Sequence, residues 1–426
     1  VTPQPVDPAA TRPTDPATAE AALILTRADE LAAISSRPDA LERVHLSPEH
    51  ARANALVAEW MIAAGLRPWQ DAAGNQWGRL EGSSPGLPAL ILGSHIDTVP
   101  DAGRYDGMLG VLLAIQVASR IDAGELPVAL ELVAFSDEEG TRFGTALLGS
   151  RAVAGAWDDA WFDRTDASGT TVREAFTAFG LDPHRVRDAA RRESDVIGYL
   201  EAHIEQGPYL EDADLALGVV SSIAAAKRYT ITVDGHAGHA GGTPYDRRRD
   251  ALVGASEAVV GIESIAKATG TIATVGRIEA FPGGVNVIPG RVEFTLDLRA
   301  ETDDERDDAW RLIAELLSEI ADRRTLTYRA VVDYRADAVH CGAPLTAAVA
   351  TGIGAVQPGT PRRLWSRAGH DGMAIADLTD IGMLFIRCAG GVSHHPDEDV
   401  RADDVRAALI AYEAAVRAIA AAGTSG

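Results

Sequence analysis

At 426 residues the chain is too long for one ordinary hydrophobic core, so two domains are expected. With 39 Lys and Arg against 62 Asp and Glu its net charge is −23, which argues against binding nucleic acid or an anionic membrane and makes any Arg aimed at an anionic ligand conspicuous. No apolar run reaches the ~18 residues of a membrane span, and the two cysteines, Cys341 and Cys388, make neither a disulfide framework nor a zinc finger, which favours a reducing, cytoplasmic setting.

Residues 1–18, rich in Pro, Ala, Thr and Asp, read as a disordered tail and lack the basic start and apolar stretch of a signal peptide. Residues 19–65 carry helical periodicity. The short apolar run 90–92 leads into Gly93-Ser94-His95-Ile96-Asp97-Thr98-Val99-Pro100. Residues 110–120 read as a buried helix, and 128–135 as a second apolar strand ending at Asp137-Glu138-Glu139-Gly140. Strand, helix, strand implies an α/β domain with a mainly parallel sheet, helices on both faces and functional groups at the carboxyl ends of the strands. The character changes near residue 213. An alternating strand at 227–233, helices at 250–268 and 304–321, and strands at 271–278 and 292–299 suit an α+β domain, an open sheet with helices on one face. From 337 the helix–strand pattern returns, with a strand at 382–387, a His-rich turn and a final Ala-rich helix. The expected layout is a domain of residues 213–333 inserted into a larger one made of 19–212 and 334–426.

His95 and Asp97 are two apart at the end of a strand, so their side chains share one face, and a carboxylate beside an imidazole fixes its tautomer and raises its basicity. Asp106 follows on the next loop beside Gly107. The candidate ligands are His95, Asp106, Glu138, Glu139, His203 and the pair His394-His395. Mixed imidazole and carboxylate donors suit zinc, manganese, cobalt or nickel. Two such clusters sharing a carboxylate would hold two ions ~3.5–4 Å apart, as in two-metal hydrolases. Taken alone, a His-x-Asp pair is commonly structural and Glu-Glu is usually a solvated surface pair; the combination is far more specific.

Four motifs, Gly-Ser-His-Ile-Asp-Thr-Val, Asp-Glu-Glu-Gly-Thr-Arg-Phe, Glu-Ala-His-Ile-Glu-Gln-Gly-Pro and Gly-Val-Ser-His-His-Pro, resemble the M20 metallopeptidase clan. They are closest to its amidase branch, which holds N-carbamoyl-L-amino acid amidohydrolases, allantoate amidohydrolases and β-ureidopropionases. The resemblance runs from about residue 45 to the C-terminus. It implies two divalent ions per subunit, one on His95 and His203, the other on Glu139 and His394, with Asp106 bridging. Asp97 becomes the partner of His95, and Glu138 the general base that passes a proton from the metal-bridging water to the leaving nitrogen. The family has one His followed by Asn-Pro, so His394 is preferred over His395, which replaces the Asn.

An amide-like bond next to an amino acid also calls for a carboxylate anchor, for which the arginine fork is best suited. The resemblance assigns Arg299 and Asn286 to the substrate α-carboxylate, Gln206 to helping them, and His239 to polarising the scissile carbonyl, a contribution of ~3–4 kcal/mol. Alone, Arg299 would be a surface ion pair, Asn286 a turn residue, and His236 as good a candidate as His239. The resemblance further implies a homodimer through the inserted domain and closure about hinges near 212 and 333. Two departures stand out: Arg367 replaces a Gly in Ser366-Arg367-Ala368-Gly369-His370-Asp371, where it could narrow the pocket, select substrates with an extra anionic or polar group, or simply point to solvent, and Gly242 replaces a Thr. His370-Asp371 reads as structural support for the site. The expected function is hydrolysis of N-carbamoyl-L-amino acids to the amino acid, ammonia and carbon dioxide. The rivals are allantoate or N-carbamoyl-β-alanine hydrolysis, an aminopeptidase or N-acyl amino acid hydrolase, and a non-enzymatic binding protein.

Overall fold

The computed structural model of this chain describes residues 15–422. Its strands, in chain order, begin with β1 (Arg67–Gln70), β2 (Gln76–Leu80), β3 (Ala89–His95), β4 (Ala129–Phe135), β5 (Val196–Ile204) and β6 (Leu217–Ile223). Then come β7 (Ala225–Asp234), β8 (Gly238–His239), β9 (Ile272–Thr274), β10 (Ile278–Phe281), β11 (Val287–Ile288), β12 (Arg291–Ala300) and β13 (Thr327–Ala336). The last are β14 (Val339–His340), β15 (Arg363–Ser366) and β16 (Ile381–Ile386). The chain divides into two units. Of the described residues, one holds 15–221, 341–364 and 370–422; the other holds 222–340 and 365–369.

In the first unit the sheet runs β1-β2-β4-β3-β5-β16-β6. The central neighbours β4/β3, β3/β5 and β5/β16 are parallel. Their apolar runs are buried almost throughout, as strands covered on both faces require. The flanks are antiparallel, β1 with β2, β2 with β4, and β16 with β6. The sheet is therefore mixed, a correction to the mainly parallel expectation. The β1–β2 connection is a short turn that leaves no room for the crossover a parallel pair needs.

Side chains alternate across β5. Leu200, Ala202 and Ile204 enter a large apolar cluster with the helices Met108–Ala118, Ala343–Gly354 and Ala402–Ala422. On the other face the His203 ring meets His370 edge-on at 4.4 Å. The helix Met108–Ala118 is buried along its whole length. It lies close to β5 because a Cβ on Gly110 would fall 2.1 Å from the Ala202 carbonyl oxygen.

The expected helical stretch 19–65 is two helices, Pro16–Ala32 and Pro48–Ala63. Ser47 caps the second by accepting the His50 N–H, and Pro48 supplies a first-turn residue that needs no donor. Most of the expected disordered tail lies outside the described residues, but residues 16–18 are helical. Asp15 caps them through the Ala17 N–H, ahead of Pro16. Among the described residues no helix is long and apolar enough to cross a membrane.

The second unit is built on an antiparallel sheet ordered β10-β12-β7-β13, with β9 also on β12. Residues Val292, Phe294, Leu296 and Leu298 of β12 face a core shared with the helices Ala251–Thr269 and Asp303–Arg324. The alternate residues, Asp297 and Arg299 among them, line the other face. The expected strand 271–278 is broken between β9 and β10. A separate ribbon pairs β8 with β11.

Candidate metal centre and its surroundings

Three adjacent parallel strands deliver the first donors from their carboxyl ends. His95 closes β3, Glu138 and Glu139 follow β4, and His203 is the penultimate residue of β5. Asp106 precedes the helix Met108–Ala118, and His394 sits in the turn after β16 with φ +55°. All lie in the first unit.

Asp97 anchors this corner. Its Oδ1 accepts the Glu138 N–H at 2.9 Å and its Oδ2 the Glu139 N–H at 3.1 Å. His95 Nδ1 lies 3.1 Å from the Asp97 carbonyl oxygen and 3.4 Å from Oδ1, so that nitrogen carries the proton and Nε2 keeps a lone pair. His203 repeats the pattern, with Nδ1 2.9 Å from the Ile204 carbonyl. Its Nε2 lies 3.2 Å from Asp106 Oδ1, yet is buried and makes no hydrogen bond. His95 Nε2 stands 3.8 Å from the same oxygen. On the other side Asp106 Oδ2 is 3.0 Å from His394 Nε2, which is 3.5 Å from Glu139 Oε1.

Two donor groups therefore meet at one carboxylate, His95/Asp106/His203 and Asp106/Glu139/His394, each with ligand atoms within 4.8 Å of one another. Imidazole lone pairs facing a carboxylate repel it unless a cation or proton lies between them. This arrangement and the mixed nitrogen and oxygen donors fit two divalent ions. Glu138 forms a third group with His95 and Glu139, which places it beside the first two.

The electrostatics describe the same crowding. Burial works to raise the Asp106 carboxyl, but the His203 and His394 imidazoles hold it well below the usual range. Burial, then the Asp106 charge, pushes Glu139 up to about 7. Burial also lifts Glu138 well above an ordinary glutamate, with Glu139 adding to it and His95 opposing. The Asp106 contact raises His394 to about 9.

His395 belongs to none of these groups; its Nδ1 accepts the Asp397 N–H at 3.1 Å at the surface. Gln206, at φ +56°, donates from Nε2 to Asp106 Oδ2 at 3.0 Å and to Ser393 Oγ at 3.3 Å. Glu201, His203 and His370 form a further group behind the centre, where Ser94 donates to Glu201 at 2.7 Å. Glu398, which the sequence reading did not single out, accepts the backbone N–H groups of Tyr105 and Asp106 and the Ser393 hydroxyl. Its only sequence signal is its place four residues after His394, where a Glu next to Asp397 reads as a solvated turn.

The remaining expected substrate residues lie in the second unit. His239 and Asn286 share the small ribbon: His239 pairs with Val287, and the Asn286 carbonyl accepts the Ala240 N–H at 2.9 Å. His239 Nδ1 accepts the Gly242 N–H at 3.0 Å, so the neutral ring carries its proton on the exposed Nε2, the form that donates a hydrogen bond. Arg299 gives Nε and Nη2 to Asp297 at 2.7 and 3.2 Å, and Nη1 to the Arg367 carbonyl at 2.6 Å. Of the five guanidinium donors, one N–H on each terminal nitrogen remains outside these bonds. The Arg367 guanidinium stacks over the Trp365 ring at 4.4 Å.

Residues 91–418 match the profile described as peptidase family M20/M25/M40. The chain is 40% identical to the allantoate deiminase of Arabidopsis thaliana, over 91% of this chain and 80% of that one. It is 38% identical to the N-carbamoyl-L-amino-acid amidohydrolase of Pseudomonas sp. (strain NS671), over 89% of this chain and 93% of that one. Among solved structures, the hydantoinase/carbamoylase family amidase from Burkholderia ambifaria matches with a TM-score of 0.86 at 32% identity, covering 94% of this chain and 97% of that one.

Proposed function

We propose that this chain, which belongs to the peptidase family M20/M25/M40, is a metal-dependent amidohydrolase that cleaves the ureido C–N bond of N-carbamoyl-L-amino acids. The observation that carries this reading is the single carboxylate, Asp106, between two sets of imidazole and carboxylate donors with Glu138 alongside. The relatives named for the carbamoyl amino acid reaction supply the substrate class. Two divalent ions, one on His95, His203 and Asp106 and one on Asp106, Glu139 and His394, would polarise the ureido carbonyl and acidify the attacking water.

Within that frame the protein's own groups have distinct tasks. Asp97 orients the His95 ring and pins the backbone of Glu138 and Glu139. Glu138 takes a proton from the water that adds to the ureido carbon. It returns that proton to the amino acid nitrogen as the C–N bond breaks. The carbamic acid released falls apart to ammonia and carbon dioxide, so the atoms balance. Asn286 and Arg299 bind the substrate carboxylate, Arg299 through its two remaining N–H groups, and Gln206 would join them by turning its amide N–H groups away from Asp106 and Ser393. His239 donates from Nε2 to the developing oxyanion, and Arg367 shapes selectivity. A homodimer through the second unit is part of the proposal, supported by exposed apolar side chains near His239 and Asn286, Tyr245 at 85% and Val285 fully exposed.

Allantoate is the second reading, favoured by a deiminase relative at 40% identity; it too carries a ureido group and a carboxylate. The test is product release from allantoate, N-carbamoyl-β-alanine and a series of N-carbamoyl-L-amino acids, with protein reconstituted with zinc, manganese, cobalt or nickel. Turnover of the carbamoyl amino acids at the highest kcat/KM supports the first reading and preference for allantoate the second. No ureido hydrolysis with any of the ions overturns both.

A further inference from the structure

Glu398 is 3% exposed, an unusual place for a carboxylate beside an already acidic site. Both of its oxygens are committed. Oε1 accepts the Tyr105 N–H at 2.9 Å and the Asp106 N–H at 3.0 Å, while Oε2 accepts the Ser393 hydroxyl at 2.8 Å. It belongs to none of the ligand-spaced groups among the described residues. Its own N–H closes the turn by donating to the His395 carbonyl at 3.0 Å. Three hydrogen bonds offset much of the cost of burying the charge. They also tie two segments far apart in the chain, the loop carrying Asp106 and the turn carrying His394.

We propose that Glu398 is a positioning residue that sets the spacing between Asp106 and His394, and so controls binding of the ion held by Asp106, Glu139 and His394. The inference rests on the two-ion reading of the site. The two donor groups are mounted differently. His95 and His203 sit on β3 and β5 in the middle of the sheet, where pairing with Phe135 of β4 and Phe385 of β16 holds them without help from Glu398. His394 sits half-exposed on an irregular turn, with φ +55° and no strand to support it. Its 3.0 Å approach to Asp106 Oδ2 depends on the Tyr105–Asp106 backbone and Ser393 being held by the same carboxylate.

The experiment is titration of metal-free full-length protein with manganese or zinc, followed by calorimetry and by metal content after dialysis. It is run on the wild type, Glu398→Ala, Glu398→Gln and Ser393→Ala, and the metal-free Tm of each is recorded. The wild type should bind two ions. Glu398→Ala should weaken one ion at least tenfold more than the other. Glu398→Gln should do the same to a smaller extent, because its amide oxygen still accepts the two N–H groups, and Ser393→Ala should do so least. A residue that only supports the fold would lower the metal-free Tm without separating the two affinities. Both ions bound as in the wild type, or both weakened equally, overturns the proposal. Should Glu398→Ala fail to fold, Glu398→Gln decides by the same criterion. A wild type that binds fewer than two ions overturns the two-ion reading and this inference with it, whereas two ions in the wild type and unaltered variants overturn this inference alone.

Discussion

Gly107 offers a sharp test of how tightly the centre is built. It lies at φ 69° and ψ −52°, and the Met108 N–H donates to the Asp106 carbonyl at 2.8 Å across it. This is a γ-turn of the strained hand, which residues with a Cβ seldom adopt. Gly107→Ala therefore carries a backbone penalty of about 1–3 kcal/mol. The second penalty is local. A Cβ there would lie 2.5 Å from Cδ2, Cε1 and Nε2 of His95, where ordinary contact begins at 3.4 Å, so the ring or the loop has to give by roughly 0.9 Å. Metal–ligand distances tolerate about 0.2 Å. A misplacement of ~1 Å near the reacting groups costs about a hundredfold in rate. The expected outcome is a folded protein, destabilised by about 1–3 kcal/mol in urea. Its metal content should be lowered, and kcat/KM for an N-carbamoyl amino acid should fall about a hundredfold or more. Unchanged metal affinity and kcat/KM in Gly107→Ala would show that the His95 ring is not held against this turn.

Glu138→Gln should lower kcat by about 10²–10⁴-fold while two ions remain bound; loss of metal along with activity would make Glu138 a ligand instead of the proton carrier. Arg299→Lys should reduce kcat/KM for carbamoyl amino acids by about 10–100-fold and leave a carbamoyl amine lacking the carboxylate nearly unaffected; equal losses on both would remove Arg299 from the carboxylate site. Acid should destabilise the metal-free protein through two buried histidines, since burial lowers His45 to about 4 and His50 to about 3. Both pKa values lie below that of the unfolded chain, near 6.5, so the stability is present above about pH 6.5 and is lost as pH falls toward the folded values, roughly 2 kcal/mol per histidine by pH 5. In urea titrations between pH 7 and pH 5, His50→Gln should lose about 2 kcal/mol less than the wild type, and identical losses would count against a buried neutral His50.

What could be read from the sequence follows from how far apart the interacting residues are in the chain. The apolar runs of β3 and β4 and the helix between them are local signals, and they locate His95, Asp106, Glu138 and Glu139 because each ligand lies within a few residues of an element end. The mixed sheet was harder, since the antiparallel flanks depend on short connections that periodicity does not register. The helical start at Pro16 was hidden by a composition that suits disorder, although the Asp15 cap and Pro16 were both visible. Glu398 could not be found this way: its three partners are backbone groups at Tyr105 and Asp106 and a hydroxyl at Ser393, and a backbone N–H leaves no mark in the residue type. Arg367 is the converse case. Its guanidinium drew attention, yet it is the main-chain carbonyl that meets Arg299, a contact any residue at that position could make. An Arg367→Gly chain keeps that carbonyl and removes the guanidinium with its stack on Trp365, so it separates the two roles: a changed preference among carbamoyl substrates assigns selectivity to the side chain, and an unchanged one removes the side chain from selectivity while the carbonyl still supports Arg299.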